Sequence, residues 1–159
     1  MKRTVRRLLK IVLWGLAITI ALFGLMQLIP YGRTHKNPPI LREPAWNSAR
    51  TRELAVRACF NCHSNETKWP WYANVAPMSW VVLFDVNVAR EVLNFSEWNR
   101  TYEMAPYCHQ SIMSNNMPTA KYRMAHPEAD LTPQEMSDLA NGLDETMGIV
   151  AGRAPQLNQ

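Results

Sequence analysis

The five residues Cys59-Phe60-Asn61-Cys62-His63 set the strictest condition on any fold for this chain. Two thiols three positions apart, followed at once by an imidazole, have the spacing that bonds both vinyl groups of one haem and offers its iron a proximal ligand. The turn carrying Cys59 and Cys62 would lie along one porphyrin edge and bring His63 under the iron. A domain built on that premise has to enclose a flat apolar disc. Two plainer readings compete. A thioredoxin-like dithiol needs a βαβ setting around the pair, and the flanking sequence has none. A zinc site needs further ligands, for which the distant Cys108-His109 is the candidate.

Residues 11–29, IVLWGLAITIALFGLMQLI, carry no charge and only Thr19 and Gln27 as polar groups. As a helix this run is long enough to cross the hydrocarbon core of a bilayer. Lys2, Arg3, Arg6, Arg7 and Lys10 precede it with no acid among them, which keeps the N-terminus cytoplasmic. The competing reading is a cleaved secretory signal, whose apolar region is about 7–15 residues long and ends in a small-x-small site. Here the run is longer and closes with Met26-Gln27-Leu28-Ile29-Pro30, so an uncleaved single-pass signal-anchor is expected, with the remainder exported.

The basic pI near 9.1 belongs to that leader. Five of the 17 Lys+Arg stand before the apolar run and all 13 Asp+Glu after it, so the exported part is within one charge of neutral. Such a balance gives no electrostatic reason to expect nucleic acid. The chain has 3 cysteines; with Cys59 and Cys62 taken by haem, Cys108 is left over and no structural disulfide is available.

The expected organisation is a basic cytoplasmic stretch over 1–10, a transmembrane helix over 11–29, a Pro-rich extended tether over 30–46, a haem domain over 47–147 and a loose tail over 148–159. Asn47 or Ser48 can cap a helix that delivers the haem motif. Trp69, Trp71 and Tyr72, set between prolines, make a rigid loop suited to walling a haem or to filling a core. Val81, Val82, Phe84, Val88 and Val92 recur at three- and four-residue spacings, predicting an amphipathic helix over about 78–94. A shorter helix should follow the Asn94-Phe95-Ser96-Glu97 stop and reach Ser114. Thr132-Pro133-Gln134-Glu135 is a capping box, and Met136, Leu139, Ala140 and Leu143 give the last helix a buried face. The fold class is all-α, four or five short helices around haem.

The order of parts, a helix into C-x-x-C-H, a Met-Pro loop and an L-T-x-x-E helix, resembles the small monohaem class I cytochromes c, which implies that Met117 is the distal iron ligand. A closer resemblance spans about 37–146. Asn37-Pro38-Pro39, Cys59 to Asn65, Trp69-Pro70-Trp71-Tyr72, Pro77-x-Ser79-Trp80, Asp85-Val86, Asn94-Phe95-Ser96-x-Trp98, Met117-Pro118 and His126-Pro127-Glu128-Ala129 are similar to the bacterial membrane-anchored haem-binding domain family. That resemblance implies one covalent haem c and export across the bacterial inner membrane to the periplasm. Where the family's pattern has Gly before the arginine, this chain has Ala89. Arg90 is a candidate propionate partner, against the ordinary reading of an exposed helix arginine. Ala105-Pro106-Tyr107-Cys108-His109 has the outline of a second haem motif lacking its first thiol, and Cys108 reads as a small buried hydrophobe.

The distal face of the iron decides the function. A thioether there saturates the iron and suits electron transfer, whereas an open face admits small ligands or peroxide. Candidates are Met78, Met104, Met113, Met117, Met124, Met136, Met147, His35, His109 and His126, with core packing the ordinary role of any one Met. Asn115-Asn116 and Pro118 hold Met117 in a loop, which favours it. The leading expectation is a membrane-tethered electron carrier working with redox partner proteins, free or as a subunit of a respiratory or photosynthetic membrane complex. The alternative is a haem sensor or small peroxidase, for which His109 and His126 are the candidate acid-base groups.

Overall fold

The computed structural model describes residues 2–148. They form seven α-helices: α1 (Lys2–Met26), α2 (Ala49–Ala58), α3 (Phe60–His63), α4 (Met78–Val92), α5 (Cys108–Met113), α6 (Ala120–Ala125) and α7 (Pro133–Met147). Short 3₁₀ turns cover Trp71–Asn74, Ala105–Tyr107 and Pro127–Ala129. No β-strand occurs among the described residues; Arg42 and Glu97 make one isolated parallel bridge. The all-α class expected from the sequence is therefore observed, with six α-helices behind α1 rather than four or five because several are only one or two turns long. The chain divides into two compact units, one holding residues up to His35 with Trp69–Phe84, the other Lys36–Lys68 with Asp85 onward.

In the first unit, Arg3–Met26 is a helix long and apolar enough to cross a membrane, with none of it buried inside the protein. Helical structure reaches back through the basic residues to Lys2 and stops at Met26, short of the Ile29 limit read from hydropathy. The stop is chemical. Gln27 donates from Nε2 to Phe23 O (3.1 Å) and Ala76 O (2.9 Å), and its Oε1 accepts from Ala76 N (3.0 Å) and Arg33 Nη2 (3.0 Å). One amide thus satisfies the backbone groups that a helix end and a loop leave open. Gly32, at φ 82°, lies against the Ser79 carbonyl, where a Cβ has no room. His35 stacks on Trp69 at 4.6 Å with 5° between the rings, and its Nε2 lies 3.1 Å from Ala73 O.

In the second unit, Ser48 is the N-cap of α2 and its Oγ accepts from Thr51 N at 3.1 Å. The capping box of α7 forms as read: Thr132 Oγ1 accepts from Glu135 N (3.3 Å) and Glu135 Oε2 from Thr132 N (2.9 Å). Gly142 lets α7 approach α2, since a methyl there would fall on Thr51 Oγ1 and within 2.8 Å of its Cγ2. Leu54, Leu139 and Leu143 are wholly or almost wholly buried at this contact. The segment read as a tether is extended, but its later part is built into the unit: Leu41 N donates to Ser96 O (2.9 Å) and Trp98 N to Arg42 O (2.8 Å). Behind it Trp46, Phe60, Phe95, Trp98 and Tyr102 form a run of ring contacts with centroids 5.3–6.1 Å apart.

Helix α4 exists where the spacing predicted it, but its buried side is another one. Val81, Phe84, Val88 and Val92 are exposed, while Val86, Ala89 and Leu93 are buried. The helix after Asn94 also begins later than expected, at Cys108, because 95–104 runs as turns and loop. Leu139, Ala140 and Leu143 are buried on α7 as predicted, with Met136 packed at their edge. The expected loose tail, beyond Gly148, lies outside the described residues.

Glu135 yields an acid-stability prediction. It pairs with Arg57 Nη2 at 2.7 Å and Arg50 Nη2 at 3.2 Å, and the Arg57 bond, with the Thr132 N–H next, brings its pKa down to about 2. A depressed carboxylate pKa stabilises the fold above the unfolded-state value, and that contribution fades as pH falls through the window from about 4.5 to about 2. Thermal melts should therefore show Glu135→Gln less stable than the parent at neutral pH, with the gap closing across that window. A gap independent of pH would sink the assignment.

Candidate functional site

The local chain path explains how the haem motif is displayed. Cys59 ends α2 at φ −121° and starts α3, so the helix turns and restarts within one residue. Cys62 N and His63 N then both donate to Cys59 O, at 3.1 and 2.9 Å, closing a single tight turn. Phe95 N donates to His63 O at 2.8 Å, which ties the end of that turn to the loop after α4. Around it lies a fully bonded buried polar cluster. Asn65 N donates to Ser96 Oγ, Asn94 Nδ2 to Asn65 Oδ1 and Ser96 N to Asn94 Oδ1, each at 2.9 Å. Satisfied networks of this kind fix a unique backbone geometry.

The turn opens on a cavity of about 810 Å³, its mouth included. Ala58, Cys59 and His63 form one wall, Val92, Leu93 and Phe95 the next, and Met104, Cys108, Ser111 and Ile112 another. Met117 with Pro118 and Leu143 complete it. The lining is dominated by carbon and sulfur, as a flat apolar ligand requires.

His63 Nδ1 lies 3.1 Å from Ala89 O and 3.0 Å from Leu93 O. Two carbonyls facing one ring nitrogen assign the proton to Nδ1, leaving Nε2 with its lone pair. Burial lowers the pKa of His63, partly offset by those two backbone bonds, so the ring is held neutral. The thiols are held neutral too. Burial, with the neighbouring thiols Cys108 and Cys62, pushes Cys59 up to about 12, and burial with the Asp85 charge pushes half-buried Cys62 to about 11 against the pull of Arg90. Cys108 also rises to about 12, first through burial. Among the described residues no three His, Cys, Asp and Glu side chains converge on a metal-ion site, so Cys108-His109 does not complete a zinc set.

Of the sequence-level candidates, Cys59, His63 and Met117 come together on the cavity wall, and Met104 joins them. Cys62 stands on the same turn but is not part of the wall, and the remaining candidates are engaged elsewhere or lie at the surface. His109 Nδ1 is 2.7 Å from the buried Asp144 Oδ2, and His126 stacks on Tyr122 at 4.3 Å. Met136 and Met147 pack against the hydrophobic core, and Met113 and Met124 are exposed. Trp69, Trp71 and Tyr72 belong to the first unit, where Trp69 stacks on His35 and Trp71 is 78% exposed. The aromatic ring on the cavity wall is Phe95, which spacing alone did not single out; the Asn94-Phe95-Ser96 run was the available signal.

Arg90 is half-buried and heavily used. Its Nε donates to Ser64 O (2.8 Å), Nη1 to Lys36 O (3.2 Å), and Nη2 to Asn37 Oδ1 (3.0 Å) and Thr67 Oγ1 (2.9 Å). It thereby fixes the backbone directly after His63.

A cavity of this lining, with a neutral imidazole and thioether sulfurs on its walls, fits a haem. The sequence pattern of the haem-binding domain family matches residues 21–145. The chain belongs to the haem-binding domain family. No curated protein and no solved structure matches it. The family match begins within α1 and ends within α7, so it takes in every wall of the cavity in this haem-binding domain.

Proposed function

We propose that this haem-binding domain is a monohaem c-type cytochrome, anchored by α1 in the bacterial inner membrane with its N-terminus cytoplasmic, that carries electrons on the periplasmic face. The observation that carries the reading is the shared wall of Cys59, His63 and Met117 around one apolar cavity. In it, Cys59 and Cys62 hold the haem as thioethers, His63 Nε2 is the proximal ligand and the Met117 sulfur the distal one. When bound, the haem iron supplies a one-electron couple. The protein's part is to orient His63 through its Nδ1–H, to keep water from the site with Leu93, Phe95, Ile112 and Leu143, and to hold Met117 across the cavity. Arg90, whose Nη1 donates to Lys36 O, is the candidate partner of a propionate. The engagement of His109 with Asp144 and of His126 with Tyr122 favours a carrier over peroxide chemistry, which needs an acid-base group at the distal face. Its partners are redox proteins, and membership of a larger respiratory or photosynthetic complex is compatible with the anchor.

The test is spectroscopic. Holoprotein from a host that matures c-type haem should be low-spin, with a weak far-red ferric band of sulfur ligation and a ferrous spectrum that carbon monoxide alters only slowly. In Met117→Ala the far-red band should vanish and carbon monoxide should bind at once. A high-spin parent, or a Met117→Ala protein identical to it, would remove the assigned distal ligand.

A further inference from the structure

Side chains 61 residues apart link the haem motif to the loop that carries Met117. Asn61, between the two cysteines, donates from Nδ2 to Tyr122 Oη at 2.6 Å. Its own segment fixes the rest of it: Oδ1 accepts from Lys68 N at 3.0 Å and the carbonyl from Thr67 Oγ1 at 2.9 Å. Tyr122 stands in the first turn of α6, whose N-cap Thr119 follows Pro118 directly. The next residue, Arg123, donates to Pro118 O, and the Tyr122 ring stacks on His126. At the other end of the loop, Asn116 N and Met117 N both donate to Ser111 O at 3.0 Å. Met117 is thus held between α5 and α6, and α6 is held to the haem motif.

We propose that the Asn61–Tyr122 bond is a latch across the two faces of the cavity. Tyr122 is a positioning residue that sets how often the Met117 sulfur leaves the iron. The inference rests on the His63/Met117 ligation proposed above. The six residues of α6 are too few to be a stable helix by themselves, so its position depends on tertiary bonds such as this one. Losing one net hydrogen bond shifts an open–closed balance by about tenfold.

Carbon monoxide binding to the reduced holoprotein reads that balance, because the gas enters only when Met117 has moved away. Tyr122→Phe keeps the ring and removes the hydroxyl. Its carbon monoxide uptake should be about tenfold faster than the parent's, its far-red band weaker, and its haem per chain unchanged. Asn61→Ser breaks the same bond from the other end, together with the Lys68 N bond, so it should be at least as fast as Tyr122→Phe, and the double variant should be no faster than Asn61→Ser alone. Adding Tyr122→Phe to Met117→Ala should change nothing. If Tyr122→Phe keeps the parent's uptake and band while Met117→Ala binds at once, the latch is overturned and the ligation stands. Additive effects in the double variant also overturn it. If Met117→Ala itself keeps the parent's rate and band, the ligation falls and the latch with it.

Discussion

Cys62→Ala protein, produced where c-type haem is matured, is expected to lose most of its covalently held haem. Only α3, a single turn closed on Cys59 O, sets the two thiols and the imidazole in register. Cys59 remains on the cavity wall in the variant, but one neutral thiol can form at most one thioether. The bonds from His63 Nδ1 to Ala89 O and Leu93 O are untouched, so any haem retained is held by the iron and by contact with the walls. A haem stain on a denaturing gel distinguishes the cases: the parent stains fully, and Cys62→Ala and Cys59→Ala stain far more weakly, through the one thioether still open to each. Cys108→Ala should stain like the parent, because the wall position of Cys108 lies outside the motif turn. Full staining of Cys62→Ala would refute the attachment proposed here.

Phe95→Ala should be the most damaging single change to stability. Phe95 is fully buried, stacks on Phe60 at 5.7 Å and 16° and on Trp98 at 5.9 Å and 11°, and meets Trp46 at 5.3 Å. Truncating a buried phenylalanine costs about 3–5 kcal/mol through lost transfer energy and the void left behind. Against a net stability of about 5–15 kcal/mol, that is a large share. The ring also serves as a cavity wall, and its backbone N–H holds the His63 carbonyl, so loosening should spread to the haem motif. Urea unfolding should show a strongly lowered midpoint with an unchanged slope. Trp71→Ala, at a site 78% exposed, should stay within about 0.5 kcal/mol of the parent. Equal losses in the two variants would show that the ring stack is not the centre of the fold.

The two cases mark what the sequence makes visible. Local rules wrote the cap at Ser48, the box at Thr132 and Glu135, and the turn at Cys59–His63, because each depends on residues within four positions. The apolar run of α1 was legible for the same reason, though Gln27 ended the helix by bonding Ala76, a partner 49 positions away. Helix α4 is legible as a helix but not in its facing. Val81, Phe84, Val88 and Val92 make an apolar stripe, but Val86, Ala89 and Leu93 make another, and periodicity cannot choose between two apolar sides. Placing Met117 on the wall, adding Met104, and setting His109 on Asp144 all needed the fold, since each contact joins segments distant in sequence.

The anchorage of His63 bears on the electron transfer proposed above. Its N–H points at two carbonyls one helical turn apart, both at the C-terminal end of α4, where the helix carries its partial negative charge. A hydrogen bond to such acceptors makes the imidazole a stronger donor and locks its plane from behind. In the proposed site the ligand's orientation is thus set by the helix rather than by the iron. With haem iron bound, the ring would have little freedom to swing on a change of oxidation state, which would keep the reorganisation energy low. The same electron push would favour the ferric state and oppose the apolar walls, so the midpoint potential of the proposed site would be a balance between α4 and the cavity lining.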